Sequence, residues 1–271
     1  MTFLKISLSG YLNVKKFLVL KILKVMTKLD YMLFLLKDTC HFGSENILVI
    51  TNGLGFFMKT KINNLYLCSF ASPDLKRSKQ RFIEQAKKIS IYKKIQVFGI
   101  DDLSKSKRRQ IQNFLKYKSK RLYGYGCWKA EVIKKFLKKV PKNSIVQYSD
   151  VGCHLNIDGL KRLKEYIILC NQKKVLTFQY KLPVTKKFTL LKNIKFQKYL
   201  ECEYTKMDLF DYLIQKERSK IINSEQIMSG IIFLKKSNFS LSLIHDWERV
   251  LKKDSLIDDS KSFSKNHEKF Y

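Results

Sequence analysis

The chain has 271 residues, 45% of them hydrophobic, which is enough to bury one sizeable core and a small appendage. This composition excludes a disordered tail. Lysine and arginine number 54 against 23 aspartate and glutamate, so the net charge is +31 and favours a polyanion such as nucleic acid, anionic lipid or a nucleotide diphosphate. A coding bias explains the same charge without any partner, since lysine, isoleucine and asparagine abound while glycine (10) and proline (3) are scarce.

The cysteines are scattered and form no C-x-x-C pair, and no histidine stands at zinc-like spacing from them. They are Cys40, Cys68, Cys127, Cys153, Cys170 and Cys202. This pattern predicts neither a metal cage nor a disulfide framework, and it indicates a reducing, cytoplasmic compartment.

Residues 1–63 are predicted to form a basic N-terminal extension. The run "YLNVKKFLVLKILKVMTKLDYMLFLLKD" mixes apolar residues and lysines at helical spacing, which is typical of basic amphipathic helices. The longest uncharged stretch, 46–58, has 13 residues, fewer than the roughly 20 that span a bilayer. Lysines also interrupt any signal-peptide core. The extension is expected to lie on the anionic inner membrane surface, to pack on the main domain, or to be a translated leader.

From Asn64 onward, strand-like and helix-like segments alternate, which predicts an α/β fold with an open, Rossmann-like sheet. Ser72, followed by a proline, is the expected N-cap of the first helix. The predicted strands, in chain order, are 65–70, 95–100, 144–149 and 174–180. Four helices are predicted. The first starts after Ser72, the second ends near Tyr117, and the other two cover 128–140 and 159–170.

Asp150 directly follows the third predicted strand. Ligands of open α/β sheets bind beyond the carboxyl ends of the strands. A carboxylate at such an end can hold a divalent cation that neutralises a diphosphate, and Gly152 would let the backbone approach a ligand. The alternative is that Asp150 caps the following turn.

Four further segments occur in a characteristic order: "RLYGYGCWKAEVI" (121–133), "QYSDVGCHLN" (147–156), "LECEYTKMDLFDYL" (200–213) and "SEQIMSGIIFLKK" (224–236) with "HDWERVL" after it. In this order they resemble small bacterial glycosyltransferases of lipooligosaccharide, lipopolysaccharide and capsule gene clusters. The resemblance covers about residues 64–271. It implies a GT-A-like nucleotide-diphospho-sugar transferase fold for that domain. The implied reaction transfers a sugar, most simply from a UDP-sugar, to a glycan or glycolipid acceptor with the help of Mn²⁺ or Mg²⁺.

The resemblance also implies roles for individual residues. Asp150 would bind the metal, and Glu203 and Asp208 would be catalytic, with Glu203 as general base. The implied donor-binding residues are Arg121, Tyr125, Trp128, Lys129, Asn156, Lys206 and Gln226. His154 stands where the family has glutamate. Thr205 and Asp208 also form a T-x-x-D capping pattern, so Asp208 has a structural alternative.

Two other functions stay open. The basic segment 104–121 would suit a nucleic-acid-binding module that tracks phosphates.

An inactive relative is the second alternative, because the family pattern continues into E-H-R-H-D-Q-S, beyond where this chain ends. That ending leads us to expect a truncated reading frame. His245 and Asp246 are expected on the surface of an amphipathic helix.

Overall fold

The computed structural model describes residues 64–179, 200–213 and 218–264. The predicted N-terminal extension, residues 1–63, lies outside the described residues, as does the end of the chain after Ser264.

Five strands form one mixed sheet in the order β2-β1-β3-β5-β4. They are β1 (Leu65–Phe70), β2 (Lys94–Phe98), β3 (Ile145–Ser149), β4 (Val175–Gln179) and β5 (Ile227–Lys235). Strand β1 pairs in parallel with β2 and β3, whereas β5 runs antiparallel to β3 and β4. Four strands therefore share one direction, and β5 lies reversed between two of them. This confirms the predicted α/β class, and the open sheet is compatible with a Rossmann-like fold.

Ten helices and helical turns connect the strands of the described chain. They are α1 (Lys76–Ile89), α2 (Lys105–Tyr117), α3 (Leu122–Tyr125), α4 (Lys129–Lys139), α5 (Leu160–Lys173), α6 (Glu201–Tyr204), α7 (Met207–Leu213), α8 (Arg218–Ile222), α9 (Asn238–Val250) and α10 (Asp254–Ile257). Short 3₁₀ turns occupy Pro73–Leu75, Ile100–Asp102 and Ile157–Gly159.

Helices cover both faces of the sheet. On one face, α4 and α9 bury Phe136 and Leu243 in the cluster that contains the β3 residue Tyr148. On the other, α1 buries Phe82 against β1, and α5 buries Tyr166 against β5. Each helix has an apolar stripe at helical spacing, and burial of that stripe against the sheet stabilises the helix. The result is a three-layer domain.

The four predicted strands agree with β1 to β4 to within two residues at each described end. Strand β5 was not predicted as a strand. Ser72 is the N-cap of the 3₁₀ turn that precedes α1, but its side chain makes no capping hydrogen bond. Among the described helices, none has the length and apolarity that crossing a membrane requires.

Candidate functional site

The candidate site lies at the edge of the sheet where the parallel strands end. Asp150 follows β3, and its backbone N–H donates to the Gly230 carbonyl of β5 at 2.7 Å. This bond holds the residue at the strand end, and its carboxylate remains 40% exposed. A Cβ at Gly230 would lie 3.2 Å from Asp150 Oδ2, so a side chain there would crowd the carboxylate.

Lys129, in the first turn of α4, reaches the same carboxylate. Its Nζ lies 3.0 Å from Asp150 Oδ1 and 3.3 Å from Oδ2, and it donates to the Ser229 carbonyl at 3.0 Å. The Lys129 side chain is only 9% exposed. The Tyr148 hydroxyl donates to Asp150 Oδ1 from within the core. The site is therefore a half-exposed carboxylate above a nearly buried ammonium.

Aromatic rings surround this ion pair. Lys129 Nζ lies 5.2 Å from the ring centroid of Tyr148 and 5.7 Å from that of Trp128. Trp128 stacks on Phe70, at the end of β1, with the ring centroids 4.0 Å apart. Burial, and then the negative charge of Asp150, raise the pKa of Tyr148 well above its ordinary value. The phenol therefore stays protonated and acts as a hydrogen-bond donor to the carboxylate.

The turn that leads into α4 is left-handed. Five consecutive residues, Leu122 to Gly126, have φ between 46° and 86°. The Tyr125 N–H donates to the Arg121 carbonyl at 2.9 Å, which closes the turn. Each non-glycine residue in this conformation costs about 1–2 kcal/mol. Such strain persists where the surrounding structure imposes it, commonly at functional sites. Here the turn delivers Trp128 and Lys129 to the sheet edge.

Arg81 of α1 holds the loop that follows Asp150. Its guanidinium donates to the carbonyls of Val151 at 2.9 Å, Gly152 at 3.3 Å and Cys153 at 3.0 Å. On the same helix, Gln85 accepts from the Leu155 N–H at 3.1 Å. Sequence reasoning missed Arg81, because nothing in a single sequence separates it from the other basic residues of α1.

The structure brings two of the predicted donor-binding residues, Trp128 and Lys129, to the edge where Asp150 lies. Arg121 instead pairs with Asp259 at 2.8 Å, and the Asn156 side chain accepts from the Asp158 N–H at 3.0 Å. Tyr125 packs edge-on against Phe114 of α2. Gln226 is half-buried immediately before β5. The donor-binding assignments of all seven predicted residues, Trp128 and Lys129 included, stay predictions.

The predicted catalytic carboxylates contact the backbone of their own chain. Glu203 accepts from the Leu200 N–H at 3.2 Å, at the start of α6. Asp208 Oδ1 accepts from the Phe263 N–H at 2.9 Å, and its buried Oδ2 lies 3.9 Å from Lys206 Nζ. The Thr205 hydroxyl donates to Glu201 at 2.6 Å, whereas the sequence predicted that it caps α7. Asp208 therefore makes structural contacts other than the predicted cap, and the catalytic roles of Glu203 and Asp208 stay predictions.

Lys206 belongs to a second, buried charge cluster. Its Nζ lies 3.1 Å from Asp258 Oδ1 and donates to the Ser255 carbonyl and the Ser260 hydroxyl, both at 2.7 Å. Lys118 also binds Asp258. Burial raises the pKa of Asp258, but the hydrogen bonds from Lys118, Ser260 and Lys206 outweigh it and hold that pKa well below its usual range. The cluster fastens the chain after α10 to α7 and to the end of α2.

Glu201 is a buried carboxylate to which the sequence analysis assigned no role. Burial raises its pKa to about 7, even though hydrogen bonds from the Thr205 hydroxyl and the Ile227 N–H lower it. The second of these bonds joins α6 to the start of β5. The protonation state of Glu201 therefore changes close to neutral pH.

Of the predicted site carboxylates in the described residues, Asp150 is the one at the sheet edge, where the sequence predicts a metal. Within them, no group of three or more His, Cys, Asp or Glu side chains could hold an ion. Mg²⁺ in nucleotide sites is commonly bound by one or two carboxylates together with substrate phosphates and waters, and Asp150 fits that limited role. The described chain forms no dedicated cage, and the metal stays a prediction.

The predicted basic helix forms as α2, but several cations of the segment 104–121 are engaged. Lys107 is buried and donates to Gln110. Arg108 lies 4.0 Å from Asp101, and Lys118 and Arg121 pair with acids near the described end of the chain. Fewer basic side chains of this segment than the sequence suggested are therefore available to contact the phosphates of a nucleic acid.

No protein-family model matches the sequence, and no curated protein is significantly similar to it.

Proposed function

We propose that the chain is a GT-A-type glycosyltransferase that binds a nucleotide-diphospho-sugar, a UDP-sugar first of all, beyond the carboxyl ends of β1 and β3. It would transfer the sugar to a glycan or glycolipid acceptor at the cytoplasmic face of a membrane. The observation that carries the proposal is the Lys129–Asp150 pair, with Nζ 3.0 Å from Oδ1, at the ligand-binding edge of an open α/β sheet. The order of the four sequence motifs supports the same function.

The charges at this edge suit a diphosphate. An unpaired carboxylate at this edge would repel a phosphate. The nearly buried ammonium of Lys129 neutralises the negative charge of Asp150 and removes that repulsion. In the proposed complex, the ammonium is shared between the carboxylate, the Ser229 carbonyl and the incoming phosphate oxygens. As the sugar leaves, negative charge grows on the diphosphate, and a cation fixed beforehand stabilises that charge without reorganisation.

A bound Mn²⁺ or Mg²⁺ would add charge neutralisation of the diphosphate, with Asp150 as its protein ligand. The chain's own residues orient the ligand. Arg81 fixes the carbonyls of the loop 151–153 away from the site, since it occupies them as acceptors. Trp128, buried and stacked on Phe70, places an apolar ring beneath this edge. Glu203 remains the proposed general base for the acceptor hydroxyl.

A donor screen tests the proposal. The thermal unfolding midpoint of the chain is measured with UDP-, GDP- and CMP-sugars, each with EDTA or with Mn²⁺, because a ligand that binds only the folded state raises the midpoint. We expect one nucleotide class to raise the midpoint and the others to leave it unchanged. No shift with any nucleotide, or an equal shift with single-stranded RNA, would contradict the proposal.

A further inference from the structure

The surface around the end of α2 combines exposed apolar side chains with lysines. Leu122 is 68% exposed, Tyr117 is 69% exposed and Phe263 is 85% exposed. Monomeric proteins expose single apolar residues routinely, but a group of large ones on one charged surface marks an interaction site. These three residues, with Lys116, Lys120 and Lys261, are called the α2-end surface here.

Two ion pairs bring the parts of this surface together. Arg121 Nη1 binds Asp259 Oδ1 at 2.8 Å, and Lys118 binds Asp258. The chain after α10, which carries Lys261 and Phe263, therefore lies beside the left-handed turn that carries Leu122. The Phe263 N–H is fixed by its bond to Asp208 at 2.9 Å, so its backbone is anchored while its ring points outward.

The charge of this surface is positive. Three carboxylates beside it are already engaged: Asp258 in a buried cluster, Asp259 by Arg121, and Asp208 by the Phe263 N–H and by Lys206 at 3.9 Å. Lys116, Lys120 and Lys261 are exposed, and Lys116 Nζ lies 4.8 Å from the Tyr117 ring centroid. Aliphatic and aromatic tips interleaved with lysines are the composition of surfaces that insert into the headgroup region of anionic bilayers.

We infer that the α2-end surface docks the domain on an anionic lipid bilayer, with Leu122, Tyr117 and Phe263 entering the interface and the lysines facing lipid headgroups. A single-stranded nucleic acid suits the surface less well. Leu122, the first residue of the strained turn, has no π face on which a base can stack. The inference is independent of the proposed reaction. It adds a docking site within the described domain to the one predicted for residues 1–63.

Sedimentation of the full chain with phosphatidylcholine vesicles, with or without phosphatidylglycerol, tests this inference. We expect binding to the anionic vesicles that weakens with salt. The double substitution Leu122→Asn/Phe263→Ser should lower the partition coefficient by about tenfold or more, because two apolar side chains leave the interface. Asparagine is chosen at 122 because it tolerates positive φ. Lys116→Gln/Lys120→Gln should lower it about fivefold for each charge removed.

Matched controls on α5 distinguish vesicle binding by the α2-end surface from non-specific binding by any exposed apolar or basic residues. Ile168 and Leu169 are also exposed, at 41% and 42%, and Lys161 and Lys173 are exposed lysines of the same helix. Ile168→Ser/Leu169→Ser and Lys161→Gln/Lys173→Gln should leave vesicle binding unchanged. Equal loss in the controls would overturn the inference. So would unchanged binding of the α2-end variants, which would assign the binding to another part of the chain. Preferential binding of single-stranded RNA that the α2-end variants abolish would overturn it too.

Discussion

Lys129 Nζ lies 3.0 Å from Asp150 Oδ1, and it joins the first turn of α4 to the end of β3 across 21 positions of sequence. The ammonium is nearly buried and the carboxylate is half exposed. An ion pair of this kind is a poor source of stability, because desolvation of the buried partner opposes the Coulomb attraction. Its position at the sheet edge where open α/β folds bind their ligands suits the proposed function instead.

Asp150→Asn should remove the metal-dependent part of nucleotide affinity and leave the fold intact, because one oxygen ligand becomes a weaker, neutral one. Calorimetric titration of UDP in Mn²⁺ and in EDTA measures that part directly. Glu165→Gln, which alters an exposed ion pair on α5, is the control. If Mn²⁺ strengthens UDP binding equally in wild type and Asp150→Asn, the carboxylate is not a metal ligand.

Arg81→Gln should lower the free energy of unfolding by about 1–3 kcal/mol, because it leaves loop carbonyls without their charged donor. It should also weaken UDP binding, since the loop that follows Asp150 loses its anchor. Urea unfolding and calorimetry measure the two effects. Arg77→Gln, on an exposed position of the same helix, is the control. Loss of stability with unchanged UDP affinity would limit Arg81 to a structural role.

Glu201 should make stability fall as the pH rises. Its pKa is about 7 in the folded chain and near 4.5 when unfolded, so the folded state binds more protons between these values. The contribution of Glu201 to the free energy of unfolding is fully present below about pH 4.5. It is lost as the pH rises through 7, by up to about 3 kcal/mol. Urea unfolding at several pH values should show this slope in wild type. Glu201→Gln, which stays neutral, should flatten it; an identical slope in both proteins would contradict the assignment.

Asp258→Asn should destabilise the domain by about 3 kcal/mol, because the buried Lys206 ammonium loses its nearest counter-charge and keeps only Asp208, 3.9 Å away. Asp259→Asn, which breaks the exposed pair with Arg121, should cost less than about 1 kcal/mol. In wild type, the contribution of Asp258 is present above about pH 4 and is lost as the pH falls, since its folded pKa is depressed. Equal losses in the two variants would show that the Lys206 cluster adds nothing.

The alternation of apolar runs and helical stripes was sufficient to predict β1 to β4, because each of these runs is a local sequence signal for a strand. Strand β5, "IMSGIIFLK", was missed since Ser229 and Gly230 interrupt its apolar pattern. Its reversed direction follows from its partners β3 and β4, and these are distant in sequence.

The candidate site was predicted in part for the same reason. Placing Asp150 at a strand end required only the local sequence. The contact of Asp150 with Lys129 depends on how α4 packs against the sheet. The hydrogen bonds from Arg81 to the loop after Asp150 join residues about 70 positions apart in sequence. Side chains that meet through tertiary packing leave no periodic signal in one sequence. We accordingly predicted a separate ligand for Lys129 and for Asp150, whereas the structure pairs the two side chains.

The most direct test of the account is the affinity of Lys129→Met for UDP, measured by calorimetry in EDTA and again in Mn²⁺. Lys134→Met, which removes another ion pair of α4, that with Glu248, is the matched control. Loss of a charge-assisted hydrogen bond to the diphosphate should weaken UDP binding of Lys129→Met by about tenfold or more, while Lys134→Met binds like wild type. Equal UDP affinity of Lys129→Met and wild type in both conditions would contradict the account.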